Sequence, residues 1–121
     1  MCKGRVIAIV DDDRTILDGI QRLLIAHGFE TEVFASAEAF LDSVTAQQAA
    51  CLVLDIHLGG MSGLELRRRL KAVRSKLPVI FITALDDETI EKEAMNVGCI
   101  ACLHKPFPAS LLIGAISKAI S

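Results

Sequence analysis

The stretch "RVIAIVDDDRTIL", residues 5–17, contains the first strand-like run of the chain and the start of the segment that follows it. It joins an apolar run to three consecutive aspartates and then to the start of a helix-like segment. Carboxylates packed this closely repel one another unless a cation lies nearby. Asp11, Asp12 and Asp13 therefore predict a cation site where the first strand ends.

The same alternation of apolar runs and helix-period segments continues along the chain. Strands are predicted at 5–10, 30–34, 51–55, 78–82 and 99–103. Helices are predicted between the first two strands and at 36–47, 63–74, 87–97 and 108–120. Short connections between such units imply an α/β fold, in which a (βα)5 chain forms a doubly wound parallel sheet with helices on both faces.

The apolar positions of three helices predict which sides face the sheet, and Gly28 is expected to end the first of them. The inward residues are predicted to be Ile16, Ile20, Leu23, Leu24 and His27 in the first, Leu66, Leu70 and Val73 in the third, and Leu112, Ala115, Ile116 and Ala119 in the last.

Composition bounds the class of protein. The chain has 121 residues, 52% of them apolar, with five Phe, no Trp and no Tyr, which suits one domain with an aliphatic core. A net charge of -2 argues against nucleic-acid binding by this chain, so the Arg67, Arg68, Arg69 run is interpreted as a solvated helix face. No run reaches the roughly 18 apolar residues of a membrane span, and we expect a cytoplasmic location without membrane contact.

The four cysteines are Cys2, Cys51, Cys99 and Cys102. In a cytoplasmic protein they are expected to be reduced thiols in the core. "CIAC" at 99–102 also matches a redox C-x-x-C pair, but it lies in a strand-like run rather than at a helix start. A zinc site is less favoured still, because no second Cys or His pair stands at ligand spacing.

Polar residues follow four of the predicted strands. Parallel strands end at one edge of the sheet, where α/β proteins bind ligands, so these side chains should converge. They are Asp11, Asp12, Asp13, Asp55, Thr83 and Lys105. Clustered carboxylates suit Mg²⁺, Lys and Thr can hold phosphoryl oxygens, and an aspartate can attack phosphorus to give an acyl phosphate.

The segments "IVDDD", "LDIHLGGMSGLEL", "VIFITA" and "LHKPF", in this order and spacing, resemble the receiver domain of two-component response regulators. The resemblance covers nearly the whole chain. It implies a flavodoxin-like sheet in the order 2-1-3-4-5 and a role in phosphorelay signalling, as a phosphoryl acceptor that can lose its own phosphoryl group but is not a turnover enzyme.

The resemblance also assigns roles to residues. It makes Asp55 the phospho-acceptor and Mg²⁺ the cofactor. The metal site it implies consists of Asp55, Asp12 as a direct ligand, the backbone carbonyl of His57, and Asp11 through water.

On the phosphoryl side, the resemblance places Thr83 and Lys105 against the phosphoryl oxygens, with a cis peptide bond before Pro106. Asp13 is interpreted as the N-cap of the first helix. Two departures stand out: Gly59 replaces a common Pro, and Cys102 replaces the aromatic that the family uses as a switch reporter.

The partners that the resemblance implies are a sensor histidine kinase and a transcriptional output domain or an effector protein. We expect residues 1–121 to form the receiver domain, with a core at 3–121 and no output domain in this chain. Exposed apolar residues on the last helix, Leu111 and Ile113, predict a homodimer that phosphorylation enhances.

Two alternatives remain open at this point. "VDDDRT" also fits the D-x-D-x-T motif of haloacid-dehalogenase-like phosphatases, with Asp11 as nucleophile and Asp13 as acid/base. That interpretation gives Asp55 no role, and no acidic pair follows Lys105 to hold a metal. A non-phosphorylated pseudo-receiver that acts only as a docking module is the second alternative.

Overall fold

The computed structural model describes residues 6–84 and 87–120. Within these residues strands and helices alternate strictly, with one short 3-10 helix at Ala46–Gln48. The elements are β1(Val6–Val10), α1(Arg14–Ala26), β2(Glu30–Phe34), α2(Ala37–Leu41), β3(Cys51–Asp55), α3(Gly63–Ala72), β4(Val79–Thr83), α4(Glu88–Val97), β5(Ala101–His104) and α5(Ala109–Ile120).

The five strands form one parallel sheet in the order β2-β1-β3-β4-β5. This order confirms the doubly wound α/β prediction. Every residue of β3 and β4 is buried, as expected for central strands with helices on both faces. The sheet reverses its strand order between β1 and β3, and Asp11 and Asp55 come at the ends of those two strands.

Successive strand residues face opposite sides of the sheet and supply two hydrophobic clusters. On one side Ile7 and Ile9 pack with α1 and α5, while on the other Ala8 and Val10 pack with α2, α3 and α4. Of the residues predicted to face inward, Leu112, Ala115 and Ile116 of α5 and Leu66 and Leu70 of α3 are buried, as expected.

Two residues predicted to face inward do not. His27 is exposed because α1 ends at Ala26, so His27 caps the helix and its Nδ1 lies 3.0 Å from the Leu23 carbonyl oxygen. Leu17 is buried instead, on the same side as Ile20 and Leu24. Gly28, with φ of 88°, follows the cap as predicted.

The second error concerns α3, which ends at Ala72. Val73 is therefore its C-cap, and it is 73% exposed. A periodic pattern does not show where the hydrogen-bond ladder stops, and here the pattern extended one residue too far.

The single helix predicted over 36–47 is also wrong. Ser36 caps α2, which ends at Leu41, and the 3-10 helix follows separately. The Ser43 hydroxyl accepts a hydrogen bond from the Ala46 N–H at 3.1 Å. Short polar side chains that bond to the local backbone in this way compete with helix propagation.

Cys2 and Arg5, the first residue of the predicted β1, lie outside the described residues. Among the helices of 6–84 and 87–120, none has the length and apolarity that crossing a bilayer requires.

Candidate functional site

The carboxyl edge of the sheet gathers the polar residues that follow its strands. Asp11 comes directly after β1, Asp55 ends β3, Thr83 ends β4, and Lys105 comes directly after β5. Asp11 and Thr83 are fully buried, and Asp55 is 4% exposed. Buried polar groups are costly unless they are paired, so this edge is built for specific interactions.

Three carboxylates form a cluster that could hold a cation. Asp11, Asp12 and Asp55 each offer one oxygen, and these atoms lie within 4.8 Å of one another. Asp12 is exposed while the other two are buried, so the cluster opens to solvent on one side. Hard oxygen ligands at the end of a strand suit Mg²⁺, which binds one or two carboxylates and keeps several waters.

Lys105 connects two of these carboxylates. Its Nζ lies 2.9 Å from Asp11 Oδ2 and 3.3 Å from Asp55 Oδ2. Burial acts to lower the pKa of Lys105, but the hydrogen bond that its ammonium donates to Asp11 and the negative charges of Asp55 and Asp11 outweigh burial and raise that pKa. Lys105 is therefore a fixed cation at the centre of the site.

The environment of Asp55 disfavours the charged form of its carboxyl group. Burial, followed by the neighbouring charge of Asp11, raises the pKa of Asp55 to about 6, although Lys105 and the His57 N–H act in the other direction. The His57 N–H donates to Asp55 Oδ1 at 3.1 Å, while the rest of His57 belongs to the exposed loop. A second cation beside Asp55 would favour its ionised form.

The backbone fixes Asp11 at the end of β1. The Asp11 N–H donates to the Phe34 carbonyl at 3.1 Å, and Asp11 Oδ1 accepts from the Asp13 N–H at 2.9 Å. Asp13 itself accepts from the Thr15 and Ile16 N–H groups, which confirms it as the N-cap of α1. The three consecutive aspartates thus divide into two groups, with Asp13 serving the helix and its neighbours lying in the cation cluster.

The ends of β4 and β5 are joined at the same edge. The Lys105 N–H donates to the Thr83 carbonyl at 2.8 Å, and the Lys105–Pro106 peptide bond is cis. In the sheet register Thr83 pairs with His104, and its neighbour Ile82 pairs with Asp55. Thr83 therefore lies one residue beyond the strand position that faces Asp55.

The loop between β3 and α3, residues 56–62, contains contacts that sequence reasoning missed. The Gly59 N–H donates to Asp12 Oδ2 at 3.2 Å, and the Met61 N–H donates to Glu38 Oε2 at 3.0 Å. Gly63 begins α3 against the Asp55 carbonyl, where a Cβ would collide with the backbone. The glycines of "LGGMSG" were the available signal for close backbone approach, but nothing in the sequence pointed to Glu38.

The cysteines of the described residues are free thiols. Cys51 is buried, whereas Cys99 and Cys102 are only half-buried, so the prediction of core thiols holds for Cys51 alone. Burial, followed by the nearby charges of Cys99 and Glu91, raises the pKa of Cys102 to about 11. A thiol that stays protonated at neutral pH is a poor nucleophile, so the redox-pair interpretation is not favoured.

Cys102 packs against the hydrophobic cluster that contains Ala94 of α4. A second contact joins β5 and α4. His104 Nε2 lies 2.8 Å from Glu91 Oε1 of α4. We call the surface formed by α4 and β5 the α4–β5 face. It adjoins the carboxyl edge through Lys105, the residue that follows His104.

Comparison with known proteins gives a consistent result. The family model "Response regulator receiver domain" matches residues 7–117. The response regulator protein TodT of Pseudomonas putida is 36% identical over 118 residues, which are 98% of this chain and 52% of TodT. The transcriptional regulatory protein FixJ of Bradyrhizobium diazoefficiens is also 36% identical, over 98% of this chain and 57% of FixJ.

Among solved structures, the response regulator StyR superposes with a TM-score of 0.85 at 38% identity, over 95% of this chain and 58% of StyR. The chain spans about half the length of the curated relatives it matches. These matches do not favour the phosphatase alternative. With a family model covering residues 7–117 and relatives above 30% identity, this chain belongs to the response regulator receiver domain family.

Proposed function

We propose that Asp55 accepts a phosphoryl group from a sensor histidine kinase and that the chain thereby switches an output domain or partner. One observation carries the proposal. The Lys105 ammonium lies within hydrogen-bonding reach of Asp11 and Asp55, and the Asp12 carboxylate joins the same cluster. Three carboxylates and one ammonium leave a net charge of two negative units, which a divalent cation would balance.

The phosphoryl transfer follows from this geometry. A carboxylate oxygen of Asp55 attacks the phosphorus, the P–N bond of a phosphohistidine breaks, and its electron pair returns to the imidazole nitrogen. Lys105 then pairs with a phosphoryl oxygen in place of the Asp55 carboxylate, and the Thr83 hydroxyl donates to another. The product is an aspartyl phosphate on Asp55.

We assign Mg²⁺ to the cluster because its donors are all oxygens. Asp12, Asp55 and the His57 carbonyl would bind the ion directly and Asp11 would bind it through water, as the family resemblance implies. When bound, the ion supplies positive charge that lets one anion approach another.

The same reaction would reach the α4–β5 face through Lys105. Movement of the Lys105 ammonium toward a phosphoryl group would act on the end of β5, where His104 Nε2 lies 2.8 Å from Glu91 Oε1 of α4. Relatives named as transcriptional regulators make a transcriptional output domain the favoured reader.

We further infer a phosphorylation-enhanced homodimer. Leu111 of α5 is 52% exposed and Met95 of α4 is 59% exposed, so apolar area is available on both helices that flank β5. Ile113, in contrast, is half-buried and packs against the α5 side of the sheet. Light scattering with and without beryllofluoride tests this inference, and an unchanged monomer with Asp55 occupied would leave a docking partner as the reader.

Intact-mass analysis tests the proposed transfer itself. With Mg²⁺ and phosphoramidate, the parent should gain one acid-stable, base-labile phosphoryl group, and Asp55→Asn should gain none. Asp13→Asn is the matched control, because it removes a nearby aspartate but preserves a good N-cap, and it should react like the parent. A parent that gains no phosphoryl group would favour the docking-module alternative.

A further inference from the structure

The loop at 56–62 is held by carboxylates from two other elements. Asp12, after β1, accepts from the Gly59 N–H at 3.2 Å. Glu38, in the first turn of α2, accepts from the Met61 N–H at 3.0 Å. Glu38 thus connects α2 to the loop that follows Asp55.

The loop backbone fits this contact closely. Gly60 lies between the two anchored residues and has φ of 76°, a region that residues with a Cβ rarely adopt. A Cβ on Gly60 would lie 2.8 Å from Glu38 Oε2. The bare Cα of Gly60 therefore makes room for the Glu38 carboxylate as well as permitting the turn.

The two anchors are not equivalent once a cation is present. Asp12 belongs to the cation cluster, so a bound metal would compete with the Gly59 N–H for its carboxylate. Glu38 lies outside that cluster and stays free to hold Met61. The Met61 and Glu38 backbone N–H groups, in that order, lower the pKa of Glu38, which keeps its carboxylate an ionised acceptor at neutral pH.

We propose that Glu38 is a positioning residue for phosphorylation at Asp55. By holding Met61, it keeps the His57–Met61 segment where the His57 carbonyl and the Asp12 carboxylate can share one cation. This inference rests on the proposed function of Asp55. It adds a residue of α2, which the chemistry itself never touches, to the set that determines cation affinity.

The test uses three variants in the full chain: Glu38→Ala, Glu38→Gln and Glu65→Ala. Glu65 is the matched control, because it is a half-exposed glutamate whose side chain pairs with Arg69 on α3 rather than with the loop. Two quantities are measured: amide hydrogen exchange at Met61, and the initial rate of phosphorylation by phosphoramidate at a Mg²⁺ concentration below saturation.

Glu38→Ala should lose the protection of the Met61 amide and slow phosphorylation by about three- to tenfold, the size expected for one net hydrogen bond. That deficit should shrink as Mg²⁺ saturates. Glu38→Gln keeps an acceptor oxygen and should stay within about twofold of the parent, as should Glu65→Ala.

Three results would overturn the inference: Glu38→Ala matching the parent in both quantities, Glu38→Gln slowing as much as Glu38→Ala, or Glu65→Ala slowing as much. The first result would show that the Glu38–Met61 hydrogen bond has no role in phosphorylation. Either of the other two would show that Glu38 acts only through its charge. A parent that is not phosphorylated on Asp55 would instead refute the proposed function and this role together.

Discussion

The carboxyl edge and the α4–β5 face meet where β5 ends, at His104 and Lys105, but differ in how deeply their residues are buried. At the edge, Asp11 is fully buried and the Lys105 ammonium bonds to two carboxylates. On the face, every residue of β5 is only half-buried, and Ala94 is the buried residue of α4. The molecule thus places its chemistry on buried strand ends and leaves the neighbouring surface partly exposed.

This difference suggests that the two regions have separable functions. A partly exposed element opens at lower free energy than a buried central strand, so the α4–β5 face is the part better able to change. The resemblance also predicts a departure on this face, since Cys102 stands where the family usually has an aromatic. A small thiol there can alter the readout without disturbing the cation cluster.

The largest expected effect comes from removing the cation that the two regions share. Lys105→Ala leaves the carboxylates of Asp11 and Asp55 buried without their ammonium, which should lower the free energy of unfolding in Mg²⁺-free buffer by about 2–4 kcal/mol. Mg²⁺ should restore part of this loss. Phosphorylation should no longer change the α4–β5 face, which amide exchange of β5 would reveal. A variant as stable as the parent without Mg²⁺ would mean that the ammonium does not balance these charges.

The next effect concerns the cation cluster alone. In the parent, Mg²⁺ at a hundredfold excess over its Kd should stabilise the fold by about 2.7 kcal/mol through mass action, and Asp12→Ala should abolish that gain. Thermal unfolding at increasing Mg²⁺ measures both. The control Asp13→Asn should respond like the parent, and an Asp12→Ala response equal to the parent's would place the metal elsewhere.

A smaller effect depends on pH. The pKa of Asp55, raised to about 6 mainly by burial, exceeds its ordinary value, so the folded state holds this proton more tightly than the unfolded state. The stability from this group is fully present below about pH 4 and is lost as pH rises through about 6. Without Mg²⁺, Asp55→Asn should therefore be more stable than the parent by about 1–2 kcal/mol above pH 7.

That gap should close as pH falls toward 4. Denaturant unfolding of both proteins across this range measures it. A gap that widens toward low pH would show that the raised pKa of Asp55 is wrong, because the sign of the linkage would be reversed.

The smallest expected effect concerns whether a change on the α4–β5 face alters phosphorylation of Asp55. Cys102→Ala removes a half-buried thiol that contacts none of the cluster's carboxylates, so the phosphorylation rate with phosphoramidate should stay within about twofold of the parent and stability within about 1 kcal/mol. The amide-exchange pattern of the face is where its effect should appear. A tenfold slower reaction would contradict the separation of edge and face.

Much of the fold could be predicted from the sequence because its signals are local. Apolar runs located all five strands to within two residues, and the resemblance supplied their order. The burial of His27 and Val73 was predicted wrongly because both residues lie just past the end of a helix. Where a helix ends depends on capping contacts rather than on the apolar pattern.

Part of the candidate site could also be predicted from the sequence, but for a different reason. Asp11, Asp55, Thr83 and Lys105 follow strands, and parallel strands end together, so their convergence needed only the topology. The bond between Lys105 and Asp11 spans 94 positions, and the Glu38 contact depends on the placement of α2 and the φ of Gly60. No periodic pattern encodes such contacts, which is why Glu38 was missed.

The most direct measurement for the central claim is to locate the phosphorylated residue chemically. Labelled borohydride reduces an aspartyl phosphate to homoserine, so the phosphorylated parent can be digested and the labelled position read by mass spectrometry. We predict labelled homoserine at position 55 and at neither position 11 nor position 13. Label at position 11 would contradict it and revive the alternative in which Asp11 is the nucleophile.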